Sequence, residues 1–187
     1  MHGVAYNAKI IPYKITNAAG SVITTDAETA NAYSRATAKG ARIFNNSWGS
    51  TATITGVTKS WIDSNIPLAL SQIQSSIDSG AVFVWSAGNS SYTESAYQAG
   101  LPYYYSDMKK GYLSVVAVDL DGAEPDYTNR CGVTADWCIA APGGSDVSAT
   151  GGIYSTYNDG SYKRMSGTSM AAPMVSGALA GLKTRFP

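Results

Sequence analysis

Histidine occurs once in this chain of 187 residues, at position 2, and cysteine only twice. Two cysteines and one distant histidine cannot complete a tetrahedral site, which argues against a structural metal. Charge is scarce as well: 14% of residues are charged, thirteen basic against thirteen acidic, with no Lys/Arg cluster. That balance argues against nucleic acid or an anionic membrane as the main partner. No apolar run approaches the roughly 18 residues a membrane span needs. The opening MHGVAYNAK is not a signal peptide, so an export signal, if the protein is exported, lies outside this chain.

What is present is hydrophobic residues at 44%, 19 glycines and 13 tyrosines, the composition of a folded domain rather than a disordered tail or coiled coil. The length fits one domain with a real core. Abundant Gly, Ala and Ser suit close helix packing and tight turns, and tyrosines suit packing with a polar tip near loops and clefts. Cys131 and Cys138 allow one bridge or, in a reducing compartment, two buried thiols.

Strand and helix patterns alternate along the chain. Residues 9–15 (KIIPYKI) read as a strand ended by the turn at 17–20, and residues 26–40 as a helix with acid at its start and Gly40 as its stop. A short strand follows at 41–46. Residues 50–66 read as a polar, irregular insertion, and a helix is expected over 67–79. The runs at 81–86 (AVFVWS) and 113–118 (LSVVAV) are apolar on both faces, as in buried parallel strands, and a short strand is expected at 139–141. The Ala/Gly/Ser/Met-rich stretch 169–183 reads as a helix that packs closely and is central and buried. This order implies a parallel sheet covered on both faces, in one domain without linker or repeat. Two loops, 101–107 (LPYYYSD) and 154–164, carry no assignment; the tyrosines of the first either wall a pocket or pack on the surface.

The chemistry concentrates in residues 165–173, MSGTSMAAP. A serine between a Gly-rich turn and a helix start has its hydroxyl near the positive end of the helix dipole. Gly167 permits close backbone approach, Ala171 and Ala172 leave room, and Pro173 is expected in the first helical turn, where its missing N–H does little harm. Taken alone, Gly-Thr-Ser is equally a plain helix cap.

The string GTSMAAP, however, resembles the nucleophile motif of the subtilisin-like serine proteases. The resemblance implies that Ser169 is the nucleophile. Ser86-Ala87-Gly88-Asn89, directly after a buried strand, is similar to the family's oxyanion segment, with Asn89 and the backbone N–H of Ser169 as donors. Asn45-Asn46-Ser47-Trp48-Gly49 resembles the family's substrate-bordering segment. Ser47, Trp48 and Gly49 would then face Ala87, Gly88 and Asn89 across the primary specificity pocket, with a substrate strand adding beside Trp48. Residues 2–10 are similar to the strand that follows the family's catalytic-histidine helix. The segment NRCGVTADWCIAAPG resembles autotransporter passenger proteases of Gram-negative bacteria, which implies a Cys131–Cys138 disulfide and a secreted or cell-surface location. The implied fold is the three-layer α/β subtilisin fold, mostly parallel with helices on both faces, here incomplete. No cofactor is implied for the chemistry; structural calcium is usual in the family, and the loop that most often binds it would lie upstream of Met1.

The family's order is Asp, His, Ser. His2 falls after the position of the catalytic helix and is read as non-catalytic, and none of the ten aspartates stands where the family's does. The expectation is therefore a partial serine endopeptidase domain over residues 1–187, with the Asp- and His-bearing part missing. Turnover by the chain alone should be negligible, and its sheet faces should be incompletely covered, giving poor solubility or a molten state. The alternative is a non-catalytic remnant that at most binds extended peptide. An α/β-hydrolase elbow fails on order, because no acid and no histidine follow Ser169.

Overall fold

The computed structural model describes residues 3–17, 19, 21–148 and 150–186. His2, and Ala18 and Gly20 of the turn expected at 17–20, lie outside the described residues. The elements in chain order are α1 (Asp26–Ala38), β1 (Ile43–Asn46), α2 (Lys59–Asn65), α3 (Pro67–Asp78), β2 (Val82–Ser86), α4 (Tyr97–Gly100), β3 (Tyr112–Val118), β4 (Cys138–Pro142), β5 (Ile153–Thr156), β6 (Tyr162–Met165) and α5 (Thr168–Arg185). Strands β1 to β4 form one parallel sheet in that order.

Each strand alternates its side chains between two cores. Phe44, Phe83, Trp85 and Tyr112 point to the face packed with Tyr33 and Ala36 of α1 and Ile73 and Ile77 of α3. Val84, Val115, Ala117 and Ala141 point to the other, where α5 lies with Ala171, Ala172 and Val175. The doubly covered parallel sheet is thus as expected. α1 starts where its acids predicted: Thr25 accepts from Glu28 N–H, and the Glu28 carboxylate takes the Thr25 N–H at 2.7 Å, a capping box.

Several expectations are corrected. Residues 9–15 make no strand; the only ladder contact nearby is an isolated Thr16–Val22 bridge, and Ile10 is 84% exposed. A β-rich run is a strand only if its backbone groups find a ladder, and β1 has its one sheet neighbour in β2. Residues 50–66 are ordered: Ile54 and Ile62 are fully buried, within a 3₁₀ turn (Ile54–Gly56) and α2, which Thr58 caps through Trp61 N–H at 3.1 Å. Two isoleucines eight residues apart are too sparse a pattern to signal burial in advance. The tyrosines of 101–107 bind this segment, Tyr104 donating to Val57 O at 2.9 Å and Tyr105 to Asp63 at 2.7 Å. The loop at 154–164 is an exposed hairpin of β5 and β6. α5 is buried at its N-terminal half, while Leu182 and Phe186 beyond it are exposed. Its first residue is Thr168, so Pro173 is the sixth residue of the helix and not in its first turn.

Candidate active site

Two segments leave the C-terminal ends of neighbouring parallel strands, Ser47-Trp48-Gly49 from β1 and Ala87-Gly88-Asn89 from β2. Parallel pairing of Asn46 with Trp85 brings them side by side, and the strand-end crevice is where open α/β sheets bind ligands. Trp48 packs edge-on to Trp85, and its indole N–H donates at 3.2 Å to buried Asn46 Oδ1, which also accepts from Tyr33 OH at 2.8 Å. Burial pushes the Tyr33 hydroxyl far above its ordinary pKa, so it stays a neutral donor. A cavity of about 250 Å³ adjoins this corner, lined by Tyr33, Trp48, Gly49, Ile73, Trp85 and Leu101 among others.

Ser169 is the second residue of α5 and partly exposed. Gly167 reaches this start with φ 146°, a backbone region open to glycine and closed to side chains. A Cβ there would also stand 3.3 Å from Asn89 Nδ2. Thr168 holds the facing amide: its N–H and its hydroxyl both donate to Asn89 Oδ1 at 2.9 Å, while Gly88 N–H donates to Thr168 Oγ1 at 3.2 Å. With Oδ1 committed to Thr168, Nδ2 is the end of the Asn89 amide nearer Gly167. Ser169 Oγ donates to Ser47 O at 3.4 Å, a long and weak bond that a stronger acceptor would displace. The sole histidine lies outside the described residues, so among the described residues no imidazole stands at Ser169.

The structure therefore brings together Ser169, Asn89, Ser47, Trp48, Gly49, Ala87 and Gly88. It also forms the Cys131–Cys138 disulfide, with Cα atoms 5.8 Å apart. Three further residues hold the site together. Thr168 lies within the motif and fixes Asn89. Asn129, 1% exposed, staples the Asn89 loop: its side chain donates to Ala87 O at 3.1 Å and accepts from Ser90 and Tyr92 N–H, and its N–H donates to Gly88 O at 2.9 Å. The Gly88 backbone comes so close that a Cβ would sit 2.4 Å from Asn129 Nδ2. Asn45 links Ser47 to Ser176. Nothing in local sequence signals partners so distant along the chain.

A serine at a helix N-terminus, opposite a side-chain amide fixed in one orientation at the mouth of a parallel sheet, has the donors that acyl transfer uses. A model of the Subtilase family matches residues 1–187, and the chain belongs to that family of serine peptidases, whose chemistry needs no cofactor. Two curated relatives are an extracellular serine protease of Serratia marcescens, 29% identical over 240 residues and all of this chain, and the autotransporter lipoprotein NalP of Neisseria meningitidis, 32% identical over 120 residues and 57% of it. The chain spans 22% and 10% of those two proteins. Among solved structures, a protease of Pseudoalteromonas arctica superposes with a TM-score of 0.75 at 26% identity, covering 97% of this chain and 52% of that one. Among the described residues, no three His, Cys, Asp or Glu side chains cluster to hold a metal, and no helix is long and apolar enough to cross a membrane.

Proposed function

We propose that this chain is the serine-bearing part of a secreted or cell-surface endopeptidase domain in which Ser169 attacks a peptide carbonyl and forms an acyl-enzyme. The observation that carries the reading is the Asn89 amide, fixed by Thr168 with Nδ2 beside Gly167 at the start of the Ser169 helix. As the carbonyl becomes tetrahedral, its oxygen takes on charge, and Asn89 Nδ2 with the backbone N–H of Ser169 stabilises it. The general base and the carboxylate that orients it come, on this reading, from polypeptide outside this chain. The substrate is an extended protein or peptide segment paired along Ser47-Trp48-Gly49, its primary side chain lying between that wall and Ala87-Gly88-Asn89. The disulfide supports an oxidising, exported setting for an autotransporter-type passenger.

The test is direct. The gene upstream of the Met1 codon should encode His-Gly-Thr-His preceded by Asp-Ser-Gly or Asp-Thr-Gly, in frame. The chain joined to that segment should cleave a chromogenic peptide, lose cleavage with Ser169→Ala, and slow about 10²–10³-fold with Asn89→Ala, the loss known for such a donor in a subtilisin. The chain alone should show negligible turnover. Rapid hydrolysis by the chain alone that disappears with Ser169→Ala would show that the base is already present and overturn that division. A second reading, a peptide-binding remnant, gains if the upstream segment encodes neither motif.

A further inference from the structure

Pro173 has no N–H, so the carbonyl four residues back in α5 has no helical partner, and the proline ring crowds it as well. That carbonyl is the one of Ser169. It is not left bare: Ser47 Oγ donates to it at 2.8 Å. Ser47 Oγ in turn accepts from Asn45 Nδ2 at 3.0 Å. Asn45 Oδ1 accepts from Ser176 Oγ at 3.0 Å, which brings the chain of bonds back to α5 one turn beyond Pro173. Ser176 Oγ shares its proton with Ala172 O at 3.1 Å. The circuit leaves the helix on one side of the proline and returns on the other.

We propose that Ser47 is a positioning residue for Ser169, its hydroxyl standing in for the helix N–H that Pro173 removes. This deepens the reading of Ser169 as nucleophile and rests on it. An ordinary helical bond would tie the Ser169 carbonyl only to the next turn of α5. The Ser47 bond instead ties it sideways to the end of β1, the segment read as one wall of the cleft. The Ser47 carbonyl adds only a weak second contact, accepting from Ser169 Oγ at 3.4 Å, so the 2.8 Å bond to the Ser169 carbonyl is the one that holds. Nucleophile and wall then keep their separation when the helix shifts, and catalytic geometry is sensitive to displacements of that order.

The experiment takes the chain joined to the upstream segment described above and compares it with its Ser47→Ala, Ser47→Thr, Pro173→Ala and Ser47→Ala/Pro173→Ala variants, all checked for folding by circular dichroism. Two quantities are measured: the ¹³C carbonyl resonance of Ser169, and the affinity for a peptide boronic acid relative to the same peptide as an amide. The boronate bonds to the serine oxygen, whereas the amide tests the cleft alone. Ser47→Ala should move the resonance and lower boronate affinity about tenfold more than it lowers amide affinity. Ser47→Thr should retain both. Pro173→Ala in the Ser47→Ala background supplies an N–H to the orphaned carbonyl and should restore both. An unmoved resonance in Ser47→Ala, equal losses of boronate and amide affinity, or failure of Pro173→Ala to rescue would overturn the proposal. A wild-type chain that binds boronate no better than amide, with the resonance moving as expected, would instead sink the nucleophile reading beneath it.

Discussion

The two faces of the sheet are built on opposite principles. One is aromatic: Phe44 and Phe83 stack with centroids 4.5 Å apart, Tyr33 meets both edge-on, and Phe83 and Trp85 align with Tyr112. The other is made of Ala and Val, with Ala171 and Ala172 of α5 fully buried against it. Large rings give the first face its share of the hydrophobic stabilisation, because each buries a large apolar area. Small side chains give the second its proximity, letting the helix that carries Ser169 lie close on the strands. One face holds the fold and the other sets a distance.

Substitutions should separate these roles. Phe83→Ala, at a fully buried position in the aromatic stack, is expected to cost about 3–5 kcal/mol in urea denaturation. In whatever fraction remains folded, the balance of boronate to amide affinity should persist; its loss would show that the aromatic face also sets the site. Ala172→Leu should cost less, about 1–3 kcal/mol from overpacking, yet push α5 outward and abolish the boronate preference. If that preference survives, close packing is not what places Ser169.

Asn129→Ala removes the staple of the Asn89 loop and should cost about 1–2 kcal/mol, because water reaches part of that loop and takes over some of the lost bonds. Its signature is faster amide exchange at Ser90 and Tyr92 with the sheet unaffected; faster exchange throughout the sheet would assign Asn129 to the core instead. The smallest effect concerns α1 on the aromatic face. Bonds from the Thr25 N–H and hydroxyl hold the Glu28 carboxyl below the ordinary carboxylate pKa. A depressed carboxylate stabilises above its unfolded pKa, and that support disappears as pH falls through the folded value. The Glu28 amide, which Thr25 caps, should therefore lose protection relative to its intrinsic exchange rate below about pH 4, and Glu28→Gln should flatten that dependence. A Glu28→Gln profile that keeps the wild-type slope would assign the effect to another group.

Reading the chain alone succeeded where the signal is local or periodic. β2 and β3 are apolar on both faces, α1 has acid at its start and Gly40 as its stop, and α3 opens on Pro67 with Gly80 beyond its end. GTSMAAP, SAGN and NNSWG likewise carry their resemblance to the family within a few residues. The reading failed where a residue's state depends on a partner far along the chain. Residues 9–15 look like a strand but find no ladder. Ile54 and Ile62 are buried by the 97–105 region folding over them.

The same division runs through the site. The resemblance that points to Ser169 and Asn89 rests on short strings, so it is legible along the chain. Only the tertiary structure decided that Asn129 clamps the Asn89 loop and that Thr168 fixes the Asn89 amide. It also moved Pro173 from a harmless first turn to the sixth helical position, and so left the Ser169 carbonyl to Ser47. Backbone propensity acts between near neighbours, so it can be read along the chain. Hydrogen-bond satisfaction in a packed interior is settled between whichever groups the fold brings within about 3 Å of one another.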